Sequence, residues 1–303
     1  MKMKHTKKLL VALLMFSVCA VVFAREKFNV YIWEGVENLE QTRIYMEVSI
    51  PDNPNGTTVI ICPGGSYHHL GVRFEGYCSQ DWFNSHNVTT CILRYRVSQR
   101  GFHYPAMMQD VQRALELVRE NPERYKAEEG KIGLIGYSAG GHLVTWAGAF
   151  ANRANELEKI GIDVNVSLRP DFVISVYPVV SMQEDIAHKK SVKNLLGKNP
   201  TQELRDLFSL EMQVPLDMPP TYLLACRDDP VVPYENSERL YQALVDSSVP
   251  CEFKTYETGG HGFGMRDTPF MKQYHWNDDL WKWLVSEGFV PSAQNESIAS
   301  ASN

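Results

Sequence analysis

The stretch Lys131 to Phe150, KIGLIGYSAGGHLVTWAGAF, constrains the architecture more than any other part of the 303-residue chain. Ile132 to Ile135 is a short apolar run, the pattern of a strand covered on both faces. From Gly141 onward, Leu143, Val144, Ala147 and Phe150 recur at helical spacing. Between them, Gly136-Tyr137-Ser138-Ala139-Gly140 has the form GxSxG, in which a serine sits on a sharp, strained turn from strand to helix. Side chains at the flanking glycines would collide with the neighbouring strand or helix, and the helix dipole turns its positive end toward the serine. Ser138 is therefore the candidate nucleophile, and the strand, turn and helix around it call for an α/β fold.

The remaining chain supplies such a fold. Phe28 to Trp33 and Ile44 to Ile50 alternate apolar and polar residues, as half-buried antiparallel edge strands do, with Pro51 to Gly56 as the turn. Thr57 to Cys62, Val88 to Arg94, Asp171 to Val176, Thr221 to Cys226 and Cys251 to Tyr256 read as further strands. Helices are expected over Gly76 to Phe83, Pro105 to Arg119, Ser237 to Val245 and Lys272 to Val285. The alternation implies a mostly parallel central sheet with helices on both faces and antiparallel strands at its N-terminal edge. Residues 181 to 218 break the rhythm. They are polar, with helical pieces at Val192 to Leu196 and Gln202 to Leu207, and are read as an insertion near the active site.

Residues 1–24 have the layout of a cleaved export signal: Lys2, Lys4, Lys7 and Lys8, an apolar run from Leu9 to Phe23 too short for a comfortable membrane span, then small residues at Val22 and Ala24. This places the protein in the periplasm or outside the cell. Lipid anchoring at Cys19 is disfavoured by the bulky Val18 before it. Residues 25–290 then form one domain, and the Ser-, Ala- and Asn-rich residues 291–303 are expected to be a disordered tail. Loss of a segment with four lysines and no acid moves the formal charge from −6 to −10, which argues against nucleic acid or an anionic membrane as partner and suits a neutral substrate. Five cysteines remain, an odd number without a CxxC pair, which points to neither a disulfide framework nor a zinc site.

A serine hydroxyl needs a base, and the base needs an acid that holds its tautomer. His261 lies in TGGHGFG, just after a strand, where glycines let an imidazole reach across the top of the sheet. His142 follows the serine turn and is read as packing within its helix; His68 and His69 are either pocket rim or solvated. Asp228 and Asp229 directly follow the strand ending at Cys226, and the following Pro230-Val231-Val232-Pro233 favours Asp229, with Asp228 as a turn cap. For the oxyanion of an acyl-transfer intermediate, Ala139 N–H follows the nucleophile, and a second donor is expected from Gly64, Gly65 or Ser66 in the glycine-rich loop after Cys62. Tyr67, Trp82 and Tyr177 are either core aromatics or a rim on which a sugar could stack.

These pieces resemble the α/β-hydrolase superfamily and, within it, secreted bacterial esterases grouped with acetyl xylan esterases and the acetyl esterase/lipase enzymes. The likeness runs from about Val59 to Phe263 and rests on ICPGGSYHHL, LRYR at 93–96, GYSAGGHL, SVKNLLG at 191–197, PPTYLLACRDDPVVPYENS and GGHGFG. The order Ser138, Asp229, His261 is that of this superfamily. Relatives usually read PGGGY, so Ser66 departs from the pattern, and Pro63 stands where HGGG-type loops carry histidine. The resemblance implies hydrolysis of small acyl esters, often acetate on hemicellulose, by a serine mechanism without metal or organic cofactor. The partner is then a small-molecule, oligosaccharide or polysaccharide ester. Two other readings share the residues: a peptidase of the prolyl-oligopeptidase type, for whose propeller the chain has no room before residue 57, and a non-catalytic binding module on a hydrolase scaffold.

Overall fold

A computed structural model describes residues 25–292, so the proposed export signal and nearly all of the C-terminal tail lie outside the described residues. The strands are β1 (Glu26–Tyr31), β2 (Tyr45–Ile50), β3 (Thr58–Cys62), β4 (Thr89–Leu93), β5 (Ile132–Tyr137), β6 (Phe172–Val176), β7 (Thr221–Cys226) and β8 (Cys251–Tyr256). All eight join one sheet in the order β1-β2-β4-β3-β5-β6-β7-β8. β2 runs antiparallel to both β1 and β4, and every pair from β4 to β8 is parallel. The helices are α1 (Cys78–Ser85), α2 (Ala106–Glu120), α3 (Pro122–Tyr125), α4 (Ala139–Ala149), α5 (Lys189–Leu196), α6 (Gln202–Phe208), α7 (Glu235–Asp246), α8 (Pro269–Tyr274) and α9 (Trp276–Ser286).

The continuous apolar runs of the central strands are explained by the two cores that they separate. Ile60, Leu134, Val173 and Leu223 point to one side, where α2, α4 and α7 contribute Val111, Leu115, Leu143, Val144, Leu240 and Leu244. Their neighbours Ile61, Ile135, Ile174 and Leu224 point to the other, where Phe83 of α1 and Trp276, Leu280, Trp283 and Leu284 of α9 cover them. Successive strand residues face opposite sides, so a strand buried on both cannot alternate with polar residues. β1, at the edge, is largely exposed and does alternate.

Chain direction and strand order together locate the site. The helix after β3 packs on one face and the helix after β5 on the other, so β3 and β5, adjacent in the sheet, send their chains apart at their carboxyl ends. A crevice opens at such a switch point. Ser138 lies directly after β5, and the glycine-rich loop lies directly after β3.

Two expected elements differ in detail. The helix expected from Gly76 begins earlier, as a π-helical segment over Val72–Tyr77 that runs into α1. The helix expected over Lys272 to Val285 is broken: His275 takes a left-handed conformation (φ 46°), ends α8 and redirects the chain into α9. The redirection buries Trp276, whose indole N–H donates to the Gly264 carbonyl at 3.2 Å. Residues 181–218 hold α5, α6 and a short turn at Leu210–Met212. Asn194 of α5 donates its side-chain amide to the Ser66 carbonyl at 2.8 Å, which props this segment against the loop after β3.

Candidate active site

Ser138 stands at φ 54°, ψ −118°, a backbone conformation that disfavours side chains. Its surroundings hold it there. Its N–H donates to the Val176 carbonyl at 3.0 Å, and its own carbonyl accepts from His142 N–H and Val179 N–H at 3.2 and 3.1 Å. A Cβ at Gly136 would collide with the Gly140 carbonyl, and one at Gly140 with the Cys62 carbonyl, so strand, turn and helix meet backbone to backbone. The side chain is 5% exposed, at the floor of a cavity of ≈ 210 Å³ lined by Gly65, Ser66, His69, Phe74, Val231 and His261 among others.

His261 reaches this floor from the loop after β8. Its Nε2 is 2.9 Å from Ser138 Oγ and its Nδ1 is 2.6 Å from Asp229 Oδ2. A carboxylate only accepts, so the ring proton lies on Nδ1, and Nε2 is left with the lone pair that accepts the serine hydroxyl. The second oxygen of Asp229 accepts the Val231 and Val232 amides at 2.8 and 2.9 Å, which fixes the carboxylate from the side opposite histidine. Asp228 points elsewhere. Its Oδ1 accepts the Gly260 amide at 2.8 Å and so ties down the loop immediately before His261. The imidazole also packs against the Tyr177 ring, centroid to centroid 4.6 Å.

The loop after β3 narrows the donor question. Gly64 lies against the serine, with a hypothetical Cβ only 2.8 Å from Ser138 Cβ, but its N–H is donated to Glu75 Oε2 at 2.7 Å. Gly64 is thus removed from the expected set of oxyanion donors, because a buried carboxylate already holds its proton. Gly65 and Ser66, at φ 131° and 58°, have amides with no acceptor among the described residues, and Ala139 opens α4, where the first N–H groups lack intrahelical partners. The structure therefore brings Ser138, His261 and Asp229 together with three free amides.

The other sequence candidates are placed as follows. His142 is fully buried: its Nε2 lies 2.9 Å from the Phe208 carbonyl and its Nδ1 2.8 Å from the Tyr67 hydroxyl. A carbonyl only accepts, so the proton is on Nε2, and Tyr67 donates to Nδ1. Burial lowers the His142 pKa to about 4, which keeps the ring neutral. His69 lines the cavity, while His68 sits 3.3 Å from Ser98 Oγ. Tyr67 and Tyr177 are fully buried and offer no face to a sugar, because their hydroxyls are drawn into internal hydrogen bonds; Trp82 packs between Phe83, His86 and Trp281. The exposed apolar surface at the cavity belongs instead to Phe74 and Val231. Sequence reasoning missed Glu75. Its surroundings in the sequence do not mark it, since Glu75 follows His68, His69 and Arg73 in a mixed polar and apolar stretch after the glycine loop.

Known proteins are similar to this chain to different extents. An acetylxylan esterase of Xylanibacter ruminicola is 28% identical over 298 residues, covering 97% of this chain and 57% of that protein. Endo-1,4-beta-xylanase B of Butyrivibrio fibrisolvens is 29% identical over 72% of this chain and 34% of its own length. The chain thus spans about half or less of these curated relatives. Among solved structures, an acetyl ester-xyloside bifunctional hydrolase from Caldicellulosiruptor lactoaceticus superposes with a TM-score of 0.76 at 31% identity, covering 87% of this chain and 97% of that one. The carboxylesterase Cest-2923 of Lactobacillus plantarum, 18% identical with a TM-score of 0.69 over 89% of this chain and 99% of that one, shares the α/β-hydrolase fold. The BD-FAE family model matches residues 46–244, and the chain, built on the α/β-hydrolase fold, belongs to the BD-FAE family.

Proposed function

We propose that this protein is a serine carboxylic-ester hydrolase that removes acetyl or other small acyl groups from plant polysaccharide such as xylan. The observation that carries the reading is the unbroken link from Ser138 Oγ through His261 to Asp229 on the floor of an open cavity. In this reading Ser138 Oγ attacks the ester carbonyl while His261 Nε2 takes its proton. The carbonyl π electrons move onto oxygen, where the Ala139 amide and the amides of Gly65 and Ser66 stabilise the charge. Collapse of that intermediate breaks the ester C–O bond, and the leaving sugar hydroxyl receives the proton from His261. Water, deprotonated by the same nitrogen, then releases the acid and restores the serine. Asp229 keeps the ring proton on Nδ1 throughout. The mechanism needs no metal or cofactor.

A small acyl group is supported by the modest cavity, whose exposed apolar wall is limited to Phe74 and Val231. A xylan-type substrate is supported by the names of the relatives, two of which carry xylan or xylanase and one xyloside. The export signal read in residues 1–24 would bring the enzyme to such a polymer in the periplasm or outside the cell.

Ser138→Ala tests the mechanism, and the substrate range of the wild type tests the carbohydrate assignment. The variant should abolish acetate release from acetylated xylan and from aryl acetates; hydrolysis at the wild-type rate would remove the serine mechanism. Wild-type activity confined to long-chain acyl esters would remove the carbohydrate assignment.

A further inference from the structure

Glu75 and Tyr177 stand beside the reacting groups without a part in the chemistry above. In the π-helical segment Val72–Tyr77, the wider turn sends Phe74 out to the cavity, 40% exposed, and Glu75 inward, 7% exposed. Each carboxylate oxygen of Glu75 takes one donor. Oε2 accepts the Gly64 N–H at 2.7 Å, and Oε1 accepts the Tyr177 hydroxyl at 3.0 Å. The Tyr177 oxygen in turn accepts the Gly264 N–H at 3.0 Å, three residues beyond His261. A Cβ at Gly71 would lie 2.8 Å from Oε2 and one at Gly64 3.1 Å from it, so the backbone closes tightly round the carboxylate.

The loop after β3 contains two consecutive glycines and left-handed residues at Ser66 and Tyr67; the Tyr95 hydroxyl holds its Pro63 carbonyl at 2.6 Å and Asn194 its Ser66 carbonyl at 2.8 Å, and between them Gly64 is held by Glu75 and Gly71. Glu75 fixes one end of the Gly64 residue, and the Gly71 N–H, donating to the Gly64 carbonyl at 2.8 Å, fixes the peptide plane that ends in the Gly65 N–H. In a trans peptide these groups share one plane, so anchoring the carbonyl sets the direction of the Gly65 donor. We propose that Glu75 is a positioning residue: its carboxylate locks the loop carrying the Gly65 and Ser66 amides to the loop carrying His261, through Tyr177. This inference rests on the esterase reading of the Ser138 site.

Glu75→Gln, Tyr177→Phe and the double variant test it. Glutamine presents one oxygen and one amide nitrogen to two groups that both supply protons, so it holds one and loses the other. Folded active sites are counted by complete labelling of Ser138 with an organophosphonate, and hydrolysis of an aryl acetate is expressed per labelled site. Glu75→Gln should lower kcat per site about 10- to 100-fold, the size of a misplacement penalty, with KM within about twofold. Tyr177→Phe should lose less, and the double variant no more than Glu75→Gln, because both act through one link. A residue that only stabilises the fold would reduce the labelled fraction or the melting temperature and leave kcat per site unchanged; that result overturns the inference, as do multiplicative losses in the double variant. If Glu75→Gln yields no folded protein, Tyr177→Phe decides alone, and an unchanged kcat per site in it is fatal. Ser138→Ala in the same assay separates the two ideas: an active Ser138→Ala removes the esterase reading, whereas an inactive one beside a fully active Glu75→Gln removes only the role of Glu75.

Discussion

Two buried carboxylates of this protein sit in networks of similar completeness with opposite surroundings. Asp229 is 2% exposed in its side chain and faces His261, which is 13% exposed and opens onto the cavity. Asp110 is sealed. Its side chain is fully buried against Arg96 at 2.9 Å and also accepts the Arg96 amide and the Trp33 indole N–H, both at 2.7 Å. Burial pushes the Asp110 carboxyl up, while the charge and hydrogen bonds of Arg96 and the Trp33 hydrogen bond pull against it. Arg96 completes its own set with the Ala106 carbonyl and Gln109 Oε1. The difference lies in the partner. Histidine can exchange a proton with something that enters the cavity, and arginine, always charged and covered, cannot. In the proposed reading the first network carries the chemistry, whereas the second joins the chain after β4 to α2.

The largest expected effect separates the two networks through activity. Asp229→Asn should reduce kcat about ten-thousand-fold by letting His261 take the wrong tautomer, with the denaturant midpoint nearly unmoved. Asp228→Asn in the same assay should stay far closer to wild type, since among the described residues that carboxylate holds the Gly260 amide and not His261. Equal losses in the two variants would erase the distinction drawn between neighbouring acids.

Next in size, Asp110→Asn should cost about 3–5 kcal/mol in chemical denaturation, because it strands a buried guanidinium, and should leave turnover per folded molecule intact. Unchanged stability would show that the sealed network is not structural. The smallest effect concerns a third buried group. His142 is held neutral in the folded protein, with its pKa lowered from 6.5 to about 4 by burial. The unfolded chain therefore binds the extra proton first. The stabilising contribution of His142 is full above pH 6.5, falls as pH drops toward 4, and amounts to about 3 kcal/mol over that window. His142→Gln should flatten the acid side of the stability curve by that amount in unfolding experiments from pH 7 to 4. Parallel curves for the two proteins would overturn the assignment of a neutral buried ring.

What the sequence revealed, and what it hid, follows the range of the forces involved. Apolar runs such as Val59 to Cys62 and Ile132 to Ile135 announced a two-sided sheet, because burial on both faces leaves a pattern readable within five residues. Ser138, Asp229 and His261 could be picked out because each lies in a turn with its own local chemistry next to a strand end. Glu75 could not, since its inward direction depends on one wide helical turn that no periodicity of residues marks. The loss of Gly64 as a donor follows from the same unseen contact. Tyr67 and Tyr177 were ambiguous for a related reason: an aromatic at a loop has the same sequence signature whether its hydroxyl finds a buried partner or a bound sugar.

The backbone contacts at Gly136 and Gly140 bear on how such a protein can change over evolutionary time. They join β3, β5 and α4 so closely that Ser138 cannot be re-aimed without rebuilding the sheet. Phe74 and Val231 line the cavity, are exposed, and are free of that constraint. If Ser138 is the nucleophile proposed above, substitutions that alter which molecules are admitted can accumulate at the entrance while the reacting atoms stay where they are, so substrate range can diverge while the mechanism is kept.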